Sequence, residues 1–276
     1  MILLLGASGI LGQDLFEMFS SKSIIQVSRA DVMNWTGSNG VFHLKSFLGE
    51  LPKEPSLIIN AVGITNPSAP YSDLKSVNFQ LPANLVTAAS GSKIKIVTFG
   101  SIMEAVPNIS KNNNYLKSKM LFRDFLDSDI AIKTNFLHFQ IHTLYGGTKL
   151  HEHMFLGQLL RSIRSKDLFH MTEGSQLREY HHMHDDLRAV AKLIDLDSIG
   201  IHQINHGDSF SLREIAEHVL GSFDASRLLR IGSLTASRTE NFTFRFTRTA
   251  NLQFIDFKPT LTGIVNDFEE KLGGRV

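Results

Sequence analysis

Five apolar residues, MILLL, run straight into GASGILG at residues 6–12. A short unbroken apolar run has no polar face, so it suits a strand covered on both sides. Leu11, Leu15 and Phe19 then recur at helical spacing. A buried strand, a glycine turn and a helix in that order admit few folds. In G-x-x-G-x-x-G the first glycine permits the tight turn and the second lets backbone amides come close to a ligand. The third lets the helix pack against the strand. The helix N-terminus carries unpaired N–H groups and partial positive charge, which suits a phosphate. Gly6, Ser8, Gly9, Ile10, Leu11 and Gly12 are therefore candidate phosphate-binding residues.

The alternation continues. SIIQV, LIINAVG, KIKIVTF and AIKTNFLHFQI read as four further strands, with helices over 74–89 and 115–126. Strands alternating with helices predict a doubly wound α/β fold with a parallel sheet, up to about residue 140. Beyond it TLYGGTKLHEH reads as a loop and 154–163 as a helix. DDLRAVAKLIDL reads as a helix with Asp185 or Asp186 as N-cap, and SLREIAEHVLG as one capped by Ser211 and ended by Gly221. The division expected is a Rossmann domain over 1–141 plus about 185–204. A smaller α/β substrate-binding lobe would cover about 142–184 plus 205–276.

The formal charge of +1 on 276 residues supplies no field for nucleic acid or a membrane surface. There is no cysteine, so disulfide and thiolate chemistry are excluded. MILLL is short for a signal sequence, and no apolar run approaches the roughly 20 residues of a membrane span. The expectation is a cytoplasmic protein.

Strand two ends in QVSRAD. An acidic residue there accepts from a ribose 2′-hydroxyl, and an Arg suits a 2′-phosphate. Ser28 and Arg29 favour NADP, while Asp31 leaves NAD open. YLKSK sets Tyr115 and Lys119 four apart, on one helix face. A phenol titrates near 10, and a neighbouring ammonium is expected to lower it toward acid–base use. Ser101, just past strand four, is the candidate donor to a substrate oxygen, with Thr98 its competitor.

Taken in order, Gly6-x-x-Gly9-x-x-Gly12, NAVG at 60–63, Ser101, Tyr115-x-x-x-Lys119 and REYHHMHDDLRAV at 178–190 resemble the extended short-chain dehydrogenase/reductases, the NAD-dependent epimerase/dehydratase family. The last segment resembles the family's R-D-[FY]-x-H-V-x-D-L, matching at Arg178, Tyr180, His182 and Asp185. Within the family the chain looks most like 4-keto-sugar reductases such as dTDP-4-dehydrorhamnose reductase and the CDP-abequose and CDP-paratose synthases. The chain departs from the family pattern where the SS pair before the catalytic Ser reads FG, and where the Arg, Asn and Pro of RxxNVYGP are Gln140, Thr143 and Gly147.

The resemblance implies a catalytic Ser101, Tyr115 and Lys119 acting on a nucleotide sugar. It implies dinucleotide contacts from Asn60, Ala61, Val62, Gly63 and Asn78 besides Tyr115 and Lys119. Thr143, His153, Phe155, Arg178 and His182 are the substrate candidates, with His151 beside them. Arg161, Arg164 and Arg245 are weaker ones. The alternatives are a 4-epimerase holding NAD tightly and a dinucleotide-binding sensor without chemistry. Helices 74–89 and 115–126 are where relatives pair as homodimers. The histidines of YHHMHDD do not match zinc spacings, so no metal is expected.

Overall fold

The computed structural model describes residues 1–107, 109, 113–147, 150, 152–235 and 240–273. β1 (Ile2–Leu5) is buried along its whole length, and the glycine turn leads from it into α1 (Ile10–Met18). There follow β2 (Ile24–Gln26), α2 (Arg29–Asn34), α3 (Gly40–Glu50) and β3 (Leu57–Asn60). Next come α4 (Tyr71–Lys75), a π-helical segment Ser76–Gln80, α5 (Leu81–Ala89) and β4 (Lys95–Ser101). A 3-10 turn, Ile102–Ala105, precedes α6 (Asn114–Phe125), α7 (Asp129–Ile132) and β5 (Phe136–Ile141). All pairings in the sheet are parallel, in the order β2-β1-β3-β4-β5 with strand Gly200–Gln203 beyond β5. Buried Lys95 draws that edge strand in by binding Asp197 at 2.5 Å and the Ser198 carbonyl at 3.1 Å.

The chain divides into two compact units. The first is Met1–Ala105, Ser110–Ile141 and Val190–Gln203, with Leu3, Leu5, Ile58, Leu85 and Ile96 at its centre. The second is Val106–Ile109, His142–Ala189 and Ile204–Val276. Helices Phe155–Ser165, Leu212–Ser222 and Thr260–Lys271 build its own core around Leu159, Val219, Ile264 and Phe268.

Several elements differ from expectation. The fifth strand starts at Phe136 rather than Ala131, because the Ser128 hydroxyl accepts from the Ala131 amide and opens α7. Part of the expected loop is a strand: Thr143–Tyr145 pairs in parallel with Tyr180–His182. Helix Met183–Asp195 begins before Asp185 and Asp186, so both lie in its first turn and neither is its N-cap. Ser211 does cap the next helix, in a capping box with Glu214, but that helix runs past Gly221 to Ser222. No described helix is long and apolar enough to cross a membrane.

Candidate active site

Backbone geometry requires two of the three turn glycines. Gly6 has φ +80°, and a Cβ there would meet the Ala61 carbonyl carbon and Val62 Cγ2, each at 3.0 Å. A Cβ on Gly12 would stand 1.9 Å from the Gly6 carbonyl oxygen. Gly9 differs: its φ is −78° and its Cβ would meet the same oxygen at 3.3 Å. Gly9 caps α1 without a side chain, and the first turn of α1 holds no acid. Ser8 is exposed, and Ile10 and Leu11 open α1 half-buried, beside the amides that lack intrahelical acceptors.

At the end of β2, Ser28 caps α2. Its hydroxyl accepts from the Asp31 amide at 3.1 Å and donates to the Asp31 carboxylate at 2.5 Å. Asp31 is thus engaged locally. Arg29 is exposed and has no partner among the described residues.

After β3, Asn60 Oδ1 accepts from the Val62 amide at 3.1 Å and the Ala61 amide donates to Leu5 at 3.0 Å, which fixes the NAVG bend. Asn78, in the π-helical segment, holds the next residue from both sides. Its Oδ1 accepts from the Ile64 amide and its Nδ2 donates to the Ile64 carbonyl, each at 2.9 Å. Nδ2 also reaches Ser118 Oγ at 3.1 Å. The Asn78 amide therefore clamps the loop to α6.

Asn113 caps α6 by accepting from the Tyr115 and Leu116 amides. Tyr115 and Lys119 share one face, and the phenol is hydrogen-bonded to Ser101. The Lys119 ammonium donates to the Phe99 carbonyl at 2.9 Å, and a Cβ on Gly63 would come within 3.7 Å of it. Ser101, Tyr115, Lys119 and Gly63 thus lie together. Thr98, the competitor for Ser101, is buried with its hydroxyl 2.8 Å from His138 Nδ1.

The expected fall in the phenol's proton affinity is corrected here. Tyr115 is pushed up to about 12, first by burial and then by the Glu104 carboxylate, against which the Ser101 hydrogen bond acts. Burial pushes Lys119 down, opposed by Glu104. Glu104 lies three residues after Ser101. Its side chain is buried completely.

The family model described as NAD dependent epimerase/dehydratase matches residues 2–207. The chain belongs to this family. The dTDP-4-dehydrorhamnose reductase of Clostridium acetobutylicum is similar in structure, with 18% identity over 98% of this chain and 99% of that one, at TM-score 0.76. The Bacillus anthracis enzyme of the same name, solved in complex with NADP, gives 17%, 98% of each chain and TM-score 0.77. WbmG of Bordetella bronchiseptica, in complex with NAD and UDP, gives 17%, 99% of this chain and 94% of that one, at 0.71. At such identities the likeness shows the fold. No curated protein matches the sequence.

The dinucleotide that the epimerase/dehydratase family binds fits the residues present. Gly9, exposed, stands before a helix end that no side chain caps, and a Cβ at Gly6 or Gly12 would close the turn. The substrate candidates are more scattered. Thr143 lies in the strand beside Tyr180, and His153 is exposed. Phe155 is partly buried, packed against the second core and edge-on to Phe169 at 5.5 Å. Arg178 is already ion-paired with Glu240. His182 is buried, 3.0 Å from Lys258 Nζ and edge-on to Tyr145. Arg164 donates to the Lys271 carbonyl and Arg245 to that of Ser209. Arg161 is exposed, and His151 lies outside the described residues.

Sequence reading missed a buried polar network in the second unit. His181 lies between two carboxylates, with Nδ1 2.6 Å from Asp186 and Nε2 2.9 Å from Glu179. Its ring stacks between His142 and His206, at 4.6 and 4.1 Å. His142, Glu179 and His181 bring ligand-type atoms within 4.8 Å of one another. However, Glu179 Oε1 already accepts from His181 and from the amides of His206 and Gly207. Stacked imidazoles direct their nitrogens side by side instead of at one point, so the group reads as a hydrogen-bonded network.

Proposed function

We propose that the chain is an NADP-preferring reductase of a nucleotide-linked 4-keto sugar, with Ser101, Tyr115 and Lys119 as its catalytic residues. Tyr115 carries the reading: its phenol lies beside the Ser101 hydroxyl, one helical turn before Lys119 on the same face of α6, which is the placement a proton donor to a substrate oxygen needs. The residues of the Gly6–Gly12 turn and the bend at 60–63 hold the dinucleotide, which supplies the hydride. Ser101 donates to the sugar's carbonyl oxygen and holds it near the phenol. Tyr115 gives that oxygen its proton as the ketone becomes an alcohol. Lys119 offsets the charge then left on the phenolate. Arg29 meets a 2′-phosphate, while Asp31 is engaged by Ser28. Two similar structures support the nucleotide-sugar class: one named for a dehydrorhamnose reductase and solved with NADP, one solved with UDP. Thr143, His153, His182 and Arg178 are the proposed substrate contacts, Arg178 after exchanging Glu240 for a diphosphate.

The test is NADPH oxidation with a panel of CDP-, dTDP-, GDP- and UDP-linked 4-keto sugars. One member should be reduced, and Tyr115→Phe should slow single-turnover hydride transfer by roughly 10²–10⁴ while the cofactor still binds. Interconversion of C4 epimers on retained NAD, without net oxidation, would identify an epimerase instead. Dinucleotide binding with no turnover across the panel would leave a sensor.

A further inference from the structure

Arg178 ends a two-residue strand, Leu177–Arg178, that pairs in antiparallel fashion with Phe210–Ser211. One guanidinium nitrogen donates to the Leu177 carbonyl at 2.8 Å, and the other is ion-paired with Glu240. Both side chains of the pair reach solvent, Arg178 at 21% and Glu240 at 26% exposure. An incoming anion can therefore reach the guanidinium, and the carboxylate has water to move into. A guanidinium presents parallel N–H donors that fit a carboxylate and a phosphate alike, so the two compete for one place.

An ion pair can serve to hold a loop, but here the loop is held by other bonds. The Leu177 amide donates to the Asn241 carbonyl at 2.8 Å, next to the pair. The buried Asn241 side chain then closes the turn 241–244. Its Oδ1 accepts from the Phe244 amide at 2.9 Å and its Nδ2 donates to the Phe244 carbonyl at 2.8 Å. Glu240 stands just before this turn, so its side chain can rotate away from Arg178 while those bonds stay made. The backbone meanwhile keeps the carboxylate within reach, which gives it a high effective concentration at the guanidinium. Two nearby charges are committed elsewhere: Arg245 donates to the Ser209 carbonyl, and Glu214 closes the capping box on Ser211.

We propose that Glu240 is an internal competitor for the ligand of Arg178: its carboxylate holds the guanidinium until a diphosphate displaces it, and so sets how tightly a nucleotide-linked substrate binds. The proposal rests on the reading of Arg178 as the diphosphate contact. The probe is inorganic pyrophosphate, followed by ³¹P NMR in protein saturated with NADP, so that the glycine turn is already filled. Glu240→Gln keeps the length of the side chain and removes its charge. It should bind pyrophosphate roughly three- to tenfold more tightly than the parent. In an Arg178→Gln background the same change should alter binding by less than about twofold, because the competition needs the guanidinium. Equal affinity of the parent and a folded Glu240→Gln protein, or no binding to either, overturns the proposal. A gain that persists in the Arg178→Gln background overturns it too, since that gain would come from charge repulsion through space. Arg178→Gln by itself separates the two readings. If it leaves pyrophosphate binding unchanged, Arg178 is not the diphosphate contact and both fall. If it weakens binding while Glu240→Gln changes nothing, only the competitor falls.

Discussion

Arg29 and Asp31 are two residues apart, yet only one is available to a ligand. The Asp31 carboxylate takes the Ser28 hydroxyl at the start of α2, while the exposed Arg29 guanidinium has no partner among the described residues. If Arg29 holds a 2′-phosphate, Arg29→Ala should weaken NADPH by about 1.5–3 kcal/mol and leave NADH nearly unchanged. Titrating each cofactor into parent and variant measures the difference. Equal losses for both would remove the assignment. The residue types of this site were legible in the sequence, because Tyr and Lys at i and i+4 must share a helix face. The proton affinity of Tyr115 was not, because burial and Glu104 act through space.

At the level of elements, the glycine turn separates folding from binding. A Cβ on Gly12 runs into the Gly6 carbonyl at 1.9 Å, so Gly12→Ala must shift backbone. It should cost about 1–3 kcal/mol of stability, as overpacking does. Gly9→Ala meets the same oxygen only at 3.3 Å with an ordinary φ, and should cost under about 1 kcal/mol. It should nonetheless weaken dinucleotide binding, because the methyl enters the space before the helix N-terminus. Thermal melts and cofactor titrations of the two variants check the contrast; equal melting losses would contradict it. β1, β3 and β4 were readable as apolar runs because they are buried on both faces. α3 was missed because it opens on Gly40 and contains Gly49, which weaken its helical signal. The π-helical segment has no sequence signal of its own, and Asn78 shows its use by reaching Ile64 and Ser118 together.

Over the whole molecule, the buried histidine network of the second unit ties stability to pH. Burial disfavours a charged His181, but Asp186 and Glu179 outweigh it and push His181 up to about 9. A folded-state value above the unfolded one, about 6.5, gives stability that is complete below about 6.5 and lost as pH rises through 9. Burial pushes His142 and His206 the other way, to about 3 and about 4, so their contribution is lost as pH falls from about 6.5. The melting temperature should therefore decline on the alkaline side between about pH 6.5 and 9, and His181→Gln should flatten that decline. A variant whose alkaline decline matches the parent's would show that His181 is not its cause. By itself the sequence determined the parallel α/β plan, the glycine turn and the types of the proposed catalytic residues, because strand burial, turn geometry and helix-face spacing are settled among near neighbours in the chain. Only the tertiary structure decided that Phe155 packs against a core, that Arg178 is paired with Glu240, and that the buried Glu104 carboxylate accepts from the Ser101 amide. Burial and charge at those sites come from groups distant in sequence, and they acquire their values only when the fold removes water from between them.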